Sequence, residues 1–310
     1  MDPHPHIPII FVIDWDGTIA GKVDFQSHRY SMQLLLKKYG YHLAKGSSQQ
    51  PPTAFYPGQG LIRPGLVEWM GAMQQMYQNN CYFFIYTASE RKWATQEVGW
   101  IERTHGIKFA RPLFCRDDCL VDGSGNYKKS LAKIFPRVCR VVAKRTPLTN
   151  REKQYMLDKR TLAIDNSNVF NETDKCLLCP TYGYAFYEDL LDGFPKAALA
   201  HPVVQQHVLS LVNEGLVCPP HGLTGGGGSG GNGVAGVGGA GVGASMHQMF
   251  AKYRWLAVKC KSIVDANAAY EGDRFWKVMS KLLLRNNIIE FTPSVVRQLT
   301  KLVWKRSAPT

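Results

Sequence analysis

The amino-acid sequence predicts an α/β protein: a parallel β-sheet with helices on both faces, then a small helical C-terminal domain beyond a glycine-rich break. Three observations carry this. Short apolar runs, IPIIFVID, CYFFIYT and RTLAID, each end in turn residues and are separated by stretches with helical spacing; such runs suit strands buried on both faces, and their alternation with helices suits a layered α/β core. Residues 225–245 hold twelve glycines and no charged or aromatic residue, so they cannot pack a core. The segment beyond them repeats apolar residues at three-and-four spacing.

In order, the run at residues 7–14 reads as the first strand. LVEWMGAMQQMY follows, in which Leu66, Trp69, Met70, Met73 and Met76 recur on one helical face. The runs at 81–87 and 160–165 supply two further strands. The glycine-rich stretch reads as a flexible coil with an end-to-end distance of roughly 25 Å. After it, Phe250, Tyr253, Leu256 and Ala257, then Phe275, Val278, Met279, Leu282 and Leu283, then Val295, Val296, Leu299, Leu302 and Val303 mark three amphipathic helices. Thr292 and Pro293 read as the N-cap and first-turn proline of the last. The expected organisation is a domain over 1–224 with a basic insertion at about 137–160, a linker over 225–245 and a basic helical domain over 246–310.

A chain of 310 residues with 45% apolar and 20% charged residues has the composition of a globular protein, and its length suits two domains. No apolar run approaches the roughly 18 residues of a membrane span, and Met1 to His6 does not resemble an export signal, so an intracellular protein without a membrane partner is expected. Eight scattered cysteines then read as free thiols. The close pairs Cys115/Cys119 and Cys176/Cys179 lack a histidine that would complete a familiar zinc knuckle, and no zinc site is predicted. Of the net charge of +13, residues 246–310 carry +8. That segment suits nucleic acid or a partner protein, and its aromatics Tyr253, Trp255, Phe275, Trp276 and Trp304 suit either, although at helical spacing they also read as core.

Each strand run ends in a polar side chain where ligands of parallel sheets collect: Asp14, Thr87 and Asp165. In FVIDWDGTIA, Asp14 and Asp16 flank Trp15, and a turn after the strand lets both carboxylates face one centre. Gly17 permits close backbone approach and offers an amide. Converging carboxylates repel unless a cation is present, and Mg²⁺ suits one or two carboxylates with waters and phosphate oxygens. The competing reading of Asp14 to Thr18 is an Asx-type turn without function. Against it stand Thr87-Ala88-Ser89 and Asp165-Asn166-Ser167, which bring phosphate- or metal-suited groups from two more strands. GNYKKSLAKI adds Lys128 and Lys129, either of which could neutralise a phosphoryl oxygen, although a lysine pair is also an ordinary exposed helix face.

From about Ile9 to Tyr187 these motifs resemble the haloacid dehalogenase superfamily of phosphohydrolases, with their Rossmann-like sheet: DWDGT first, Thr87 second, a lysine third, Asp165 fourth. Arg63-Pro64-Gly65, FFIYTASERKWA, RPLFCRDDC, GNYKKSL and LAIDNS are more narrowly similar to the NLI-interacting-factor-like branch, phosphatases of the RNA polymerase II C-terminal domain. Members occur in cells and in large DNA viruses, so the resemblance implies a protein of the nucleus or cytoplasm, of a host cell if viral. It implies Asp14 as nucleophile forming an aspartyl-phosphate, and Asp16 as general acid and then base. Mg²⁺ would be held by Asp14, the Asp16 carbonyl, Asp165 and Asn166. Thr87 and Lys129, chosen over Lys128 by the branch's Tyr-x-Lys pattern, would bind phosphoryl oxygens. Trp15, Gly17, Thr18 and Ala88 complete the expected phosphate cradle, Trp15 through its backbone amide while its ring packs.

The chain departs from the branch in the step from Lys129 to Asp165, where residues 137–160 form a basic insertion that reads as a solvated loop with a helix or as a contact for an acidic or phosphorylated partner. Asn168 also stands where the branch often has proline. Between Thr18 and Thr87, PPTAFYPGQG suggests no folded cap, and an open site suits a phosphorylated peptide. The expected activity is hydrolysis of phosphoserine or phosphothreonine in a protein. A nucleic-acid 3′-phosphatase and an inactive scaffold are the alternatives.

Overall fold

The computed structural model describes residues 4–21, 36–41, 62–184, 196–199, 201–203, 206 and 267–307. The expected linker at 225–245, the first tail helix, the PPTAFYPGQG segment, Trp255, Cys218 and Cys260 lie outside the described residues.

The chain divides into two compact units, one of residues 1–23, 53–186 and 266–310, the other of residues 24–52 and 187–265. In the second unit, the described residues include a short helix, α5 (Lys196–Leu199), and the ring of His201 against Tyr39 at 4.6 Å.

The first unit is built on a four-stranded parallel sheet. Its strands are β1 (Ile9–Ile13), β2 (Cys81–Ile85), β5 (Thr161–Asp165) and β6 (Cys176–Leu178), ordered β2-β1-β5-β6. All residues of β1 and β5 are buried, as the continuous apolar runs require of strands covered on both faces. Strand side chains alternate between faces, so Ile9, Phe11 and Ile13 enter one core and Ile10 and Val12 the other. A two-stranded antiparallel hairpin, β3 (Leu120–Val121) and β4 (Tyr127–Lys128), stands apart from the sheet.

On the first face lie α1 (Leu66–Met76), which buries the predicted Leu66, Trp69, Met70 and Met73, and α2 (Arg91–His105), which buries Ala94, Glu97, Val98 and Ile101. Phe11 meets Trp69 at 5.1 Å and Phe83 at 5.4 Å. On the second face, α3 (Leu131–Val142) and α4 (Asn150–Lys159) set Leu131, Ile134, Val138 and Met156 against Ile10, Val12 and Ala163. Ser130 caps α3, and Glu172 accepts from the amides of Leu131 and Ala132. Thr149 and Glu152 form a capping box at the head of α4.

The insertion at 137–160 contains the expected helix after a largely exposed connection, but it is part of the core rather than a separate excursion. It is the end of α3 and the whole of α4, and Val138, Val142 and Met156 close the second face.

The tail is helical, as expected, but it packs elsewhere than in a bundle of its own. Its described elements, α6 (Ala268–Glu271), α7 (Phe275–Arg285) and α8 (Pro293–Ser307), form no domain of their own but complete the first face of the sheet. Trp276 lies 4.4 Å from Trp69, Phe291 lies 5.8 Å from Phe11, and the Phe291 amide donates to the Lys159 carbonyl at 2.7 Å. The Trp304 indole donates to the Leu178 carbonyl at 2.9 Å. Phe275, Trp276, Met279, Leu282 and Leu283 are buried, each contributing about 1.5–3 kcal/mol. A single sheet face thus takes helices from both sides of the glycine-rich stretch. Thr292 caps α8 as expected, accepting from Val295 at 3.4 Å. Among the described residues no helix is long and apolar enough to cross a membrane.

Candidate active site

The ladder that pairs β1 with β5 continues beyond the strands: the Asp14 amide donates to the Ile164 carbonyl at 2.9 Å. That register sets Asp14 beside Asp165. On the other side the Tyr86 amide donates to the Ile13 carbonyl at 3.0 Å, which carries Thr87 to the same carboxyl edge.

After Asp14 the chain folds back. The Trp15 carbonyl accepts from the Ile19 and Ala20 amides at 3.0 and 2.9 Å, and the Trp15 ring is buried, edge-on to Phe109. Gly17 turns with φ +77°, a conformation that favours glycine, and a Cβ there would come within 2.5 Å of the tip of the Asn166 side chain, which would have to move aside. The turn corrects one expectation. The Gly17 amide donates to the Ala20 carbonyl at 2.8 Å and so is spent inside the turn, leaving it unavailable to a phosphate.

The side chains converge as follows. Lys129, 3% exposed, donates from Nζ to Asp14 Oδ1 at 2.5 Å and to Asp165 Oδ2 at 2.7 Å. Its backbone is fixed by hydrogen bonds with Val169 and Asn171. Lys128 belongs to β4, opposite Leu120, and lies outside this cluster. Thr18 donates to Asp14 Oδ2 at 3.2 Å. Asp16 accepts at Oδ2 from Ser89 at 2.7 Å and from Thr87 at 3.2 Å. The Ser167 amide donates to Asp165 Oδ1 at 2.8 Å. With its amide turned to satisfy both ends, Asn166 donates to Asp14 Oδ2 and to the Asp16 carbonyl, each at 3.3 Å, and accepts from Thr181. The Ala88 carbonyl accepts from Arg116 at 2.8 Å.

Burial and crowding set the protonation states. Burial works against the Lys129 charge, but Asp14 and Asp165 outweigh it and hold the ammonium above the usual lysine range. Asp165 is pushed up to about 6, first by burial and then by the charge of Asp14, with Lys129 opposing. Asp16 is raised by burial and next by Asp14, against the hydrogen bonds of Ser89 and Thr87. An aspartate that keeps a proton more readily than usual suits proton transfer to a leaving group.

Ser89, Thr181 and Glu97 were not picked out as site residues. A serine four residues after a strand is too common to stand out by itself. Glu97, however, falls in register with Ala94, Val98 and Ile101, the buried stripe of α2, and that register is a visible signal of an inward-facing acid. Its carboxyl is 1% exposed, its Oε1 has no hydrogen-bond partner, and burial followed by the charge of Asp16 raises it to about 9.

Metal fit follows from the donor set. Among the described residues no three His, Cys, Asp or Glu side chains form a metal cluster. The expected set is instead the carboxylates of Asp14 and Asp165 and the Asp16 carbonyl, all hard oxygen donors, with Asn166 able to add its amide oxygen only by turning it inward from Thr181. Lys129 bridges Asp14 and Asp165, and Asp165 is still raised, first by burial and then by the charge of Asp14. Such a site fits a Mg²⁺ ion.

A parallel α/β sheet that gathers aspartates, a hydroxyl and a lysine at its carboxyl edge has the architecture of a haloacid-dehalogenase-like phosphatase. The chain belongs to the NLI interacting factor-like phosphatase family, whose model matches residues 9–187. Two solved structures are similar in part. The fission yeast RNA polymerase II CTD phosphatase Fcp1 bound to beryllium fluoride is 16% identical, with a TM-score of 0.33 over 67% of this chain and 52% of that one. CbbY from Rhodobacter sphaeroides in complex with xylulose-(1,5)bisphosphate is 13% identical, with a TM-score of 0.30 over 56% of this chain and 87% of that one. The chain thus spans about half the length of the Fcp1 structure. No curated protein sequence matches it.

Proposed function

We propose that this chain is a Mg²⁺-dependent phosphatase that removes phosphate from serine or threonine of a protein through an aspartyl-phosphate. The carrying observation is the Lys129 ammonium held between Asp14 and Asp165 at the carboxyl edge of the sheet. An Asp14 oxygen attacks phosphorus, the ester P–O bond breaks, and Asp16 gives its proton to the departing hydroxyl. Asp16 then takes a proton from water, whose oxygen attacks the same phosphorus and releases inorganic phosphate and the Asp14 carboxylate. Lys129 and Thr87 hold phosphoryl oxygens through both steps. Mg²⁺ would be held by Asp14, the Asp16 carbonyl, Asp165 and Asn166, and would supply further neutralisation of the phosphoryl charge.

For the substrate class, the hairpin leading to Lys129 leaves Leu120, Val121 and Tyr127 exposed, Val121 at 63%. Apolar groups beside a phosphoryl site suit a polypeptide better than a small sugar phosphate. The test is hydrolysis of an aryl phosphate, a phosphoserine peptide and a 3′-phosphorylated oligonucleotide, with and without Mg²⁺, beside Asp14→Asn. A loss on the order of a thousandfold or more is expected in the variant, with the peptide preferred over the oligonucleotide. An Asp14→Asn enzyme as fast as its parent would remove the nucleophile, and preference for the oligonucleotide would remove the protein substrate.

A further inference from the structure

We infer that the C-terminal segment positions the nucleophile, through a directed chain of hydrogen bonds from Asp273 to Arg63, Cys179, Thr18 and Asp14. The inference rests on the reading of Asp14 as nucleophile.

The chain begins with a pair drawn from 210 positions apart in sequence. Arg63 donates from Nε to Asp273 Oδ1 and from Nη2 to Asp273 Oδ2, both at 2.9 Å. Such a fork holds the guanidinium in one plane. Asp273 Oδ1 also accepts from the Phe275 amide at 3.0 Å, so the pair is fastened to the head of α7. The Arg63 side chain is fully buried, with its guanidinium 4.4 Å from the centre of the Phe275 ring and its amide bonded to the Ile19 carbonyl.

The third nitrogen, Nη1, donates to Cys179 Sγ at 3.6 Å. Cys179 Sγ donates to Thr18 Oγ1 at 3.8 Å, and Thr18 Oγ1 donates to Asp14 Oδ2 at 3.2 Å. Arginine can only donate, so the sulfur must accept from it and keeps its own hydrogen for Thr18. Thr18, already accepting, is left with its hydrogen for Asp14. The sense of every bond is thereby set from one end, with Cys179 and Thr18 both wholly buried. Lys129 takes Oδ1 and this chain takes Oδ2, so the carboxylate plane is fixed at both oxygens. Reactions that depend on the approach of one oxygen are sensitive to small misplacement, on the order of a hundredfold for about 1 Å.

Cys179, Arg63 and Asp273 are thus positioning residues, and the aryl phosphate assay separates this role from plain packing. Cys179→Ala breaks the chain at the sulfur and is expected to lower kcat about tenfold while KM stays within about twofold. Cys179→Ser keeps an acceptor and donor and is expected to recover most of kcat. Asp273→Asn loosens the fork and is expected to lower kcat as well. Because both act through one chain, Asp273→Asn with Cys179→Ala together should be no slower than the slower single variant. Parental kcat in Cys179→Ala, failure of serine to restore it, or effects that multiply in the double variant would each overturn the relay. If Asp273→Asn does not fold, the alanine and serine variants decide alone. An enzyme silenced by Asp14→Asn and indifferent to Cys179→Ala loses the relay and keeps the nucleophile; one indifferent to Asp14→Asn loses both.

Discussion

The two faces of the sheet are closed by different means. The second face is covered by α3 and α4, which directly precede β5 in the chain, whereas the first is covered by α1 and α2 together with α7 and α8 from the far end. Phe11 meets Phe291 across 280 positions, in an aromatic cluster that also joins Phe11 to Trp69 and Phe83 and Trp69 to Trp276. The entropy of closing a loop grows only logarithmically with its length, so a long polar or glycine-rich excursion costs little extra, and a well-matched apolar face outweighs it. The faces also serve the site differently. The second delivers Lys129 at the head of α3, and the first, through Arg63 and Asp273, braces the turn that carries Asp14.

The largest effect expected from separating these roles is at Lys129. Lys129→Met should lower turnover of an aryl phosphate by about 10²–10³-fold, the scale of losing one charged donor to a developing oxyanion. It also leaves Asp14 and Asp165 buried without their cation, which without Mg²⁺ should cost about 3–5 kcal/mol in chemical unfolding. Lys128→Met, removing a side chain outside the cluster, should turn over within about twofold of the parent. Equal losses in the two variants would show that the second face merely supplies charge to the region and places no particular ammonium.

On the first face the corresponding change is Trp276→Ala. The indole is fully buried against Trp69 and Phe275, and its removal should destabilise the first unit by about 3–5 kcal/mol. Thermal unfolding followed by both tryptophan fluorescence and phosphatase activity should show one shared transition moved downward. If the tail behaved as a domain of its own, activity would survive the transition that Trp276→Ala shifts.

Much of this was legible in the sequence because the signals are local. The continuous apolar strands, the stripe of Leu66, Trp69, Met70 and Met73, and the polar residues at each strand end follow from periodicity. Their meeting at one edge follows from parallel pairing. The choice between Lys128 and Lys129 was not local: adjacent lysines differ only in which way the end of β4 sends them. The use of the Gly17 amide depended on how the turn closes. The glycine-rich stretch suggests a boundary, yet the helices beyond it belong to the first unit. A contrary sign was present, since α7 buries Phe275, Trp276, Val278, Met279, Leu282 and Leu283, a wider apolar surface than one neighbour in a small bundle can cover. Spacing along a chain says which residues share a face; it does not say which distant face they meet.

The smallest effect expected separates the faces by pH. The first face contains Glu97, an acid raised from 4.5 to about 9 by burial and then by Asp16. A carboxyl raised on folding binds its proton more tightly in the native state, so the native state is favoured while the group is protonated. That advantage is complete below the unfolded value of 4.5 and is lost as pH climbs toward about 9. Each pH unit in this window removes at most about 1.4 kcal/mol. Glu97→Gln keeps the shape and removes the titration. Urea unfolding at pH 5 and pH 8 should find the variant close to the parent at the lower pH and more stable than the parent at the higher one. Equal stability of the two proteins at pH 8 would mean that Glu97 is ionised in the folded chain at little cost, and that the first face tolerates a charge beside Asp16.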